Sequence, residues 1–508
     1  MKKSSNYWDK RALKRLTSSE KESEKYIKRI KKIYEQAFRN INEELSRVYL
    51  NYAKELISDN ETKVIDKQKL MELLTRSETK KTWELMKKQG LDKYIKNNYK
   101  SRISRLEQIQ AQIYAKAKLI YPKEELQNTM CYKGVINNSY YKSVYDTQMG
   151  TGYDFAFNTI DKNLVNRLLN ERWSGKNYSE RIWTNTDILA ESVSEIVGGA
   201  LLSGQGIEKT TRQIRDRFNV SKYYAERLVR TETNHFNNEA DAMAYEELGL
   251  DKYVFVATLD SRTSEICQSM DNKVFEYKKR QEGVNFPPLH PNCRSKTRAY
   301  LGEEAEKELI RRARNPITGK NEVISNMSYK DWLNKKINQY GKEEIDKSYK
   351  KVKYKTSDSK QYERYKSRLE NSPYLPAKLE DFIKIKYNND TSDYKRLNRE
   401  YKTIGKINKK SDNIERDIST YYEFRKENLE VTEHFIYDYH NRMYDGKGNM
   451  KYDFNKIIDI SKMNPNYFDM DTNRNVRYYD KIVLISEVDT NEMVSMRYGR
   501  NKKTWKKI

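Results

Sequence analysis

Apolar residues recur at heptad spacing near the start of the chain, and this pattern restricts that part to a long helix. Two apolar seams run through it with charged residues between them: Ile27, Tyr34, Ile41 and Val48 in the first, and Phe38, Leu45 and Tyr52 in the second. Ser19 is a suitable N-cap, so we predict one helix over residues 19–58. A heptad seam is buried against a second helix. We expect that helix to belong to the same chain, with a partner subunit as the alternative.

The composition favours long, partly solvated helices over one large core. Hydrophobic residues make up only 36% of the 508 positions, but 41 Tyr, 13 Phe and 6 Trp supply apolar area that argues against disorder. A single core stops growing at roughly 250–300 residues, so several domains are expected. The predicted fold class is mainly α: an elongated helical N-terminal region closed by a small α+β unit, then a separate α+β C-terminal domain with an antiparallel sheet.

Shifts in pattern divide the chain into four predicted regions. They are a helical N-terminal region at 1–160, a region at 161–301 that ends in the small α+β unit, a charged helical linker at 302–370 and the α+β domain at 371–508. Three local features are also predicted: helix breaks at Gly90 and Pro122, a looser connection over 133–160 and a hairpin over 481–498.

The formal net charge of +25 indicates a polyanionic partner, most simply double-stranded DNA. Lysines scattered among glutamates on solvated helical faces are the alternative interpretation. Two predicted helices, 210–218 and 222–247, are joined by Asn219-Val220-Ser221, an arrangement compatible with a helix-turn-helix on DNA or with a packed helical hairpin. The residues expected to contact DNA are Arg212, Arg215, Arg217, Lys222 and Arg227.

Several classes of protein are disfavoured by the sequence. Three cysteines cannot form a disulfide framework, so a reducing compartment is expected. The first residues carry no apolar segment of a secretory signal, and no stretch approaches the about 18 apolar residues of a membrane span. We therefore expect synthesis in the cytoplasm, no membrane partner and no small-molecule substrate.

Metal-binding residue types are concentrated between residues 257 and 294. This segment holds two of three cysteines and one of four histidines, with His290 and Cys293 at an x-x spacing and Cys267 upstream. Such residues bind zinc, but a structural site normally has four ligands and Ser264 stands where a second cysteine would be. Asp260 or His235 could supply the fourth ligand. The alternative is a pair of reduced, buried thiols with His290 capping a loop and no cofactor required.

Two polar motifs flank this cysteine-containing segment. Asp260-Ser261-Arg262-Thr263 follows a predicted strand at 253–257, and its side chains suit a turn in which Arg262 clamps a carboxylate. Arg230-Thr231-Glu232 lies inside a predicted helix, where residues two positions apart face different directions. We expect Arg230 and Glu232 to fasten this helix to the 253–300 unit.

Taken in order along the chain, these motifs resemble the phage head-morphogenesis family, the minor head proteins similar to protein F of phage Mu. The segments that carry the resemblance are Tyr7-Trp8, Trp173-Ser174-Gly175-Lys176, Arg181-Ile182-Trp183, Leu202-Ser203-Gly204-Gln205-Gly206, Arg230-Thr231-Glu232, Asp260-Ser261-Arg262-Thr263, Cys267 and Pro287-Pro288-Leu289-His290-Pro291-Asn292-Cys293-Arg294. They span about residues 5–300. Family members often carry two further cysteines, where this chain has Ser264 and Ser295.

The resemblance implies a virion component made in the bacterial host, with the portal, other head proteins and packaged DNA as partners. Residues 161–301 would be the head-morphogenesis domain, and residues 1–301 would have no catalytic role. The motif positions expected to be structural are Arg230, Glu232, Asp260, Arg262, Pro288, His290 and Cys293.

The C-terminal region carries the candidate for catalysis. His434 and Asp438 are i,i+4, so a carboxylate can orient an imidazole on one helical face. A helix carrying His before a sheet presenting Arg and Tyr resembles the barnase/EndoU/RelE-like nuclease domains appended to some phage head proteins. That resemblance implies a metal-independent ribonuclease with His434 as acid/base and Arg442 and Arg497 near the phosphate. A degenerate or purely binding domain is the alternative.

Overall fold

The chain forms two compact units, Met1–Ile345 and Asp346–Ile508, in a computed structural model. The structure describes residues 5–55, 63–88, 90, 103–151, 157–300, 302–370, 372–388, 390–442, 453–500, 502 and 504–508. Helices dominate these residues, with small antiparallel sheets, so the predicted mainly α class is confirmed. None of the described helices is long and apolar enough to cross a membrane.

The first unit is built around a bundle of long helices. Its helices are α1 (Ser5–Tyr52), α2 (Lys67–Met71), α3 (Arg76–Lys88), α4 (Arg105–Lys118), α5 (Ile120–Thr151), α6 (Lys162–Asn170), α7 (Tyr178–Ser203) and α8 (Ile207–Glu247). A short hairpin, β1 (Ala53–Glu55) and β2 (Lys63–Ile65), follows α1. The first heptad seam of α1 is buried against α5 and α8, as Ile27 and Ile41 show. The predicted packing within the chain is therefore confirmed.

Helix α1 and helix α5 are both longer than predicted. Ser19 lies inside α1, which begins at Ser5, so the predicted N-cap is wrong. The looser connection predicted from residue 133 is also wrong as far as residue 151, because α5 continues with Ile136, Tyr140 and Val144 buried on one side. The packing of α5 against α8 offsets the low helix propensity of Gly134 and Gly150.

The predicted turn at Asn219-Val220-Ser221 is wrong, because α8 runs through it without interruption. Both interpretations that required this turn, the packed helical hairpin and the helix-turn-helix, are therefore wrong. Phe218, Ser221 and Ala225 are all buried, and their three- and four-residue spacing keeps one face of the helix in the core. Neither Asn nor Ser prevents a helix, and no proline follows. Core packing therefore outweighs the local turn preference.

A small α+β region completes the first unit. It consists of β3 (Lys252–Val256), α9 (Glu265–Met270), β4 (Val274–Glu276), β5 (Lys296–Ala299), α10 (Glu303–Glu308), β6 (Ile310–Arg314), β7 (Asn321–Ser325) and α11 (Tyr329–Tyr340). The sheet order is β4-β3-β5, all antiparallel. The hairpin β6-β7 was not predicted within the charged linker; Ala313 packs there with Leu259 and Trp332.

Helix α12 (Lys342–Lys353) crosses the division between the units. The second unit continues with α13 (Lys355–Arg368), α14 (Leu379–Tyr387), α15 (Ser392–Lys410), α16 (Ile414–Lys426), α17 (Glu433–Arg442) and α18 (Phe454–Lys462). Its strands are β8 (Tyr467–Asp469), β9 (Arg474–Tyr479), β10 (Ile482–Ser486), β11 (Met493–Tyr498) and β12 (Trp505–Lys507).

These strands form one antiparallel sheet in the order β11-β10-β9-β8-β12, which confirms the predicted hairpin. Alternation along the strands gives the sheet two apolar faces. Leu484 and Met496 face the helical core, whereas Val483 packs with Val476 and Trp505 on the other face.

Candidate functional sites

Helix α8 holds the proline-rich motif loop through side-chain hydrogen bonds to its backbone. The Asn292 N–H donates to Thr231 Oγ1 at 3.0 Å, and Asn234 Nδ2 donates to the Ser295 carbonyl at 2.9 Å. These bonds satisfy backbone groups of a loop that its prolines keep non-helical. Thr231 of the Arg-Thr-Glu motif is thus the residue that fastens α8 to this loop.

Arg230 and Glu232 fasten α8 to other parts of the unit, so their predicted attachment to the 253–300 region is wrong. Arg230 pairs with Glu24 of α1 at 2.9 Å. Glu232 is buried, accepts from the Trp173 indole at 3.0 Å and lies 3.5 Å from Arg181. The partners lie far away in sequence, and only the helix packing brings them to α8.

Asp260 is a buried carboxylate that organises the second motif. Both of its oxygens accept from the Arg294 guanidinium at 2.7 Å, and one also accepts from the Arg262 N–H at 2.9 Å. Burial acts to raise the pKa of Asp260, but Arg294 outweighs it and holds the pKa below its usual value. The Arg262 side chain lies farther away, at 3.6 Å, and is largely exposed.

Cys267, His290 and Cys293 form one cluster, with Ser264 beside it. The two sulfur atoms are 3.7 Å apart, His290 Nε2 lies 3.4 Å from Cys267 Sγ, and Ser264 Oγ lies 2.8 Å from the same nitrogen. The thiol–thiol contact lowers the pKa of Cys293 against the effect of burial, while that contact and burial raise the pKa of Cys267. Pro288 is buried in the same loop.

The cluster fits three of the four ligands of a zinc site. The ligand atoms of Cys267, His290 and Cys293 lie within 4.8 Å of one another. His290 Nδ1 donates to the Pro291 carbonyl at 2.9 Å, which directs the Nε2 lone pair toward the thiols, as in metal-bound histidines. The two candidates for the fourth ligand have other partners: Asp260 pairs with Arg294, and His235 lies 2.5 Å from Glu282. Two serines border the cluster instead: Ser264 beside His290 Nε2, and Ser295, whose side chain hydrogen-bonds to Cys267.

The five predicted DNA-contacting residues all lie on α8, but Arg212, Arg215 and Lys222 share one side of the helix, whereas Arg217 and Arg227 line the groove between α7 and α8. Arg212, Arg215 and Arg217 are exposed, and Lys222 and Arg227 are half-buried. Among the residues that the structure describes, no carboxylate lies within ion-pair distance of any of these five. Arg215 stands 5.5 Å from the Phe38 ring and Arg227 stands 4.5 Å from the Tyr224 ring. Their positive charge is thus uncompensated by described acidic groups.

A groove of about 430 Å³ between α7 and α8 was not predicted from the sequence. Its rim carries Ile188 and Val220, which are 60% and 50% exposed, and the basic residues Arg217 and Arg227 also line it. Exposed aliphatic side chains beside cations are typical of protein-contact surfaces. The signal in the sequence was Ile188, an apolar residue of α7 that is not part of the buried stripe of this helix.

In the second unit, α17 and β11 assemble the predicted His434 and Arg442 around Asp438. Asp438 is fully buried, with His434 Nε2 at 3.4 Å and Arg442 Nε at 3.1 Å. Ser495 Oγ and the Met496 N–H of β11 both donate to Asp438 Oδ2. The imidazole of His434 contacts Asp438 through Nε2, and the rest of the ring is open to solvent because this side chain is half exposed. Sequence reasoning missed Ser495.

The third candidate of this unit, Arg497, and its other histidine, His440, lie elsewhere. Arg497 stands 4.9 Å from the Trp505 ring and donates to the Arg500 carbonyl, on the sheet face opposite the helical core. His440 is buried against Thr420, and burial lowers its pKa. The structure therefore groups His434 with Arg442 and leaves Arg497 in another environment.

A match to a family model lies within the first unit. Residues 191–298 match the family described as Phage Mu protein F like protein. The chain is 26% identical over 175 residues to an NAD(+)–arginine ADP-ribosyltransferase, EFV, of Enterococcus faecalis, covering 34% of this chain and 36% of that protein. It is 27% identical over 104 residues to an uncharacterized protein of Haemophilus influenzae, covering 20% of this chain and 23% of that protein.

The chain thus spans about a third and about a quarter of the lengths of these two relatives. No solved structure matches it at a significant level. The family match covers α8, the Asp260 turn and the loop of His290 and Cys293, which are the parts that the structure joins into one site. Residues 191–298 therefore form a Phage Mu protein F-like segment.

Proposed function

We propose that this chain is a phage minor head protein that contacts the portal and the packaged DNA. The observation that carries the proposal is the Mu protein F-like match over residues 191–298, which supports a phage head-morphogenesis protein in the virion with other head proteins as partners. In this role residues 1–301 act by binding, and no catalytic group is needed there. Co-purification of the chain with mature heads is the direct test, and its absence from heads would contradict the proposal.

The DNA contact is assigned to the outer side of α8. Arg212, Arg215 and Lys222 have no described acidic partner and lie on one side of α8 within about three turns, an arrangement that suits the phosphates of a duplex. The variant Arg212→Gln/Arg215→Gln/Lys222→Gln should bind duplex DNA more weakly at low salt. The slope of log K against log salt concentration is negative, and each lost phosphate contact reduces its magnitude by about 0.9.

The matched control removes three exposed lysines elsewhere in the first unit, in Lys330→Gln/Lys335→Gln/Lys342→Gln. Both variants lose the same formal charge, so a specific α8 contact predicts a reduced slope for the first variant only. Equal slopes in the two variants would show that retention depends on net charge alone.

The portal contact is assigned to the groove between α7 and α8. An acidic amphipathic segment of the portal protein would place apolar side chains against Ile188 and Val220 and carboxylates near Arg217 and Arg227. Ile188→Asp/Val220→Asp should abolish co-assembly with the portal. Leu126→Asp, at an exposed position of α5, is the control; unchanged co-assembly of the groove variant would overturn this assignment.

A second candidate function is supported by the geometry around Asp438: a nuclease activity of the second unit. A buried carboxylate orienting a half-exposed imidazole beside a guanidinium suits acid/base cleavage of RNA. His434 would take the 2′-hydroxyl proton while the 2′ oxygen attacks phosphorus. The 5′ oxygen would then leave and take up the proton that His434 had accepted, giving a 2′,3′-cyclic phosphate and a 5′-hydroxyl.

Incubation of the full chain with RNA in EDTA tests this candidate. His434→Ala should abolish the cyclic-phosphate product, and Asn441→Ala, an exposed neighbour on α17, should not. Intact RNA with the unmodified chain would remove the enzymatic interpretation and leave a binding domain.

A further inference from the structure

A cavity of about 510 Å³ in the second unit has a buried arginine at its base. The ends of α16 and α18 and the turn between β10 and β11 contribute to its walls. Arg477 of β9 is 4% exposed, whereas Lys426, Lys462 and Asn491 are exposed. Arg477 therefore lies at the bottom of a cavity whose rim is polar and accessible to solvent.

Arg477 is held in place by three neutral acceptors. Its Nε donates to the Met463 carbonyl at 2.7 Å. Its Nη1 donates to Ser486 Oγ at 2.9 Å, and its Nη2 donates to Asn491 Oδ1 at 2.7 Å. A guanidinium carries five N–H groups, so one N–H on each terminal nitrogen has no acceptor among the residues that the structure describes. The side chain is thus fixed and still has two donors for a ligand.

The positive charge of Arg477 has no acidic partner within ion-pair distance in the part of the chain that the structure describes. A charge in the interior is normally paired, because its desolvation is costly. Burial lowers the pKa of Arg477, which is the direction expected where no carboxylate stabilises the cation. A bound anion would supply the missing partner.

The rim of the cavity adds further positive charge. Lys462 pairs with Glu427 at 3.6 Å, but no described carboxylate lies within ion-pair distance of Lys426. The described lining therefore holds three cations, Lys426, Lys462 and Arg477, and one carboxylate. A concave surface with this balance of charge attracts negatively charged solutes.

We propose that this cavity binds a phosphate group. Two N–H groups on one fixed guanidinium match two phosphate oxygens. A phosphate monoester carries close to two negative charges, which suits the excess of two cations in the lining better than the single charge of a carboxylate. The volume is typical of sites for small molecules, so the phosphate can be free, part of a small molecule or part of a nucleic acid strand. The inference depends neither on the proposed role in the virion nor on nuclease activity.

Asn491→Asp tests the site and keeps Arg477 in place. The new carboxylate would stand where Asn491 Oδ1 now accepts from Arg477, and aspartate tolerates the φ of 55° at this turn. We expect calorimetry of the full chain to show saturable binding of inorganic phosphate, measured against chloride at equal ionic strength. The variant should weaken this binding about tenfold or more, because the carboxylate takes the place of the anion. Arg477→Gln is less decisive, since it also leaves buried acceptors unpaired.

The matched control is Asn473→Asp, at an exposed asparagine with a φ of 54° in the turn between β8 and β9, outside the cavity lining. It adds the same charge at the same kind of turn and should bind phosphate like the unmodified chain. Acetate should bind about tenfold or more weakly than phosphate. Absence of saturable phosphate binding, equal affinity in the two variants, or acetate binding as tight as that of phosphate would overturn the proposal.

Competition with short RNA strands identifies the source of the phosphate. Displacement of inorganic phosphate by a 5′-phosphorylated strand and not by its 5′-hydroxyl form identifies a strand end, and displacement by both identifies the backbone. Displacement by neither identifies a free phosphate or a small phosphorylated molecule. All three results support the site, because each requires that phosphate bind there first.

Discussion

At the scale of single residues, the motif segment depends on one carboxylate. Asp260 joins its own turn to Arg294, and Arg294 leads into the loop of Cys293. The sequence predicted that a turn forms here and that an arginine would contact a carboxylate. It could not identify Arg294 as the main partner, because the pair is 34 residues apart and is formed by the sheet around β3.

Asp260→Asn should destabilise the first unit in a pH-dependent way. Arg294 lowers the pKa of Asp260 in the folded state, so its contribution is present above about pH 4 and is lost as the pH falls through the folded pKa. Leaving Arg294 without its partner should cost about 3 kcal/mol near pH 7. Urea unfolding at pH 7, 5 and 3 should show a difference that shrinks with acid. Asp251→Asn, at an exposed position, is the control.

Ser264→Cys should complete a four-ligand zinc site. The new thiol would lie beside His290 Nε2, where Ser264 Oγ is now 2.8 Å away. We expect one zinc per chain by elemental analysis, retained against a chelator at tenfold or higher concentration than for the unmodified chain. The control Ser269→Cys adds a thiol at the other end of α9 and should not change retention. Absence of zinc from the Ser264→Cys variant, or equal retention of zinc in all three proteins, would contradict this prediction.

At the scale of elements, tertiary packing decides where the helices begin and end. Helix α8 passes through a sequence that favours a turn, and α5 passes through two glycines. Both helices pack against each other along their length, so burial offsets the unfavourable local preferences. The helical periodicity of the apolar residues was visible in the sequence, whereas the lengths of the helices were not.

Glu124→Gln should remove a pH-dependent loss of stability from α5. Burial raises the pKa of Glu124 to about 7, although its hydrogen bond from Tyr34 acts in the opposite direction. Its stabilising contribution is complete below about pH 4.3 and is lost as the pH rises through the folded pKa. The stability of the glutamine variant relative to the unmodified chain should therefore increase from pH 4 to pH 7 and then level off. A constant difference across this range would contradict the buried, neutral carboxyl.

At the scale of the whole molecule, the chain is two compact units, each with its own apolar core. Among the residues that the structure describes, each core contains residues of its own unit only, so we expect two unfolding transitions by calorimetry. Asp260→Asn should lower the first unit's midpoint by several degrees, at about 2–4 °C per kcal/mol, and leave the other unchanged. Asp438→Asn should lower the midpoint of the second unit and leave that of the first unit unchanged. A single transition shifted by both variants would show that the units unfold together.

The sequence by itself determined the mainly α class, the heptad packing of α1, the C-terminal hairpin and the likeness of residues 191–298 to a known family. These properties follow from periodicity and motif order, which are local along the chain. Only the tertiary structure decided that α8 is continuous, that Ser495 supports Asp438 and that Arg230, Arg262 and Arg294 of three separate motifs line one cavity. Such features join residues tens to hundreds of positions apart, and their energies come from burial and charge pairing that form only when distant segments pack.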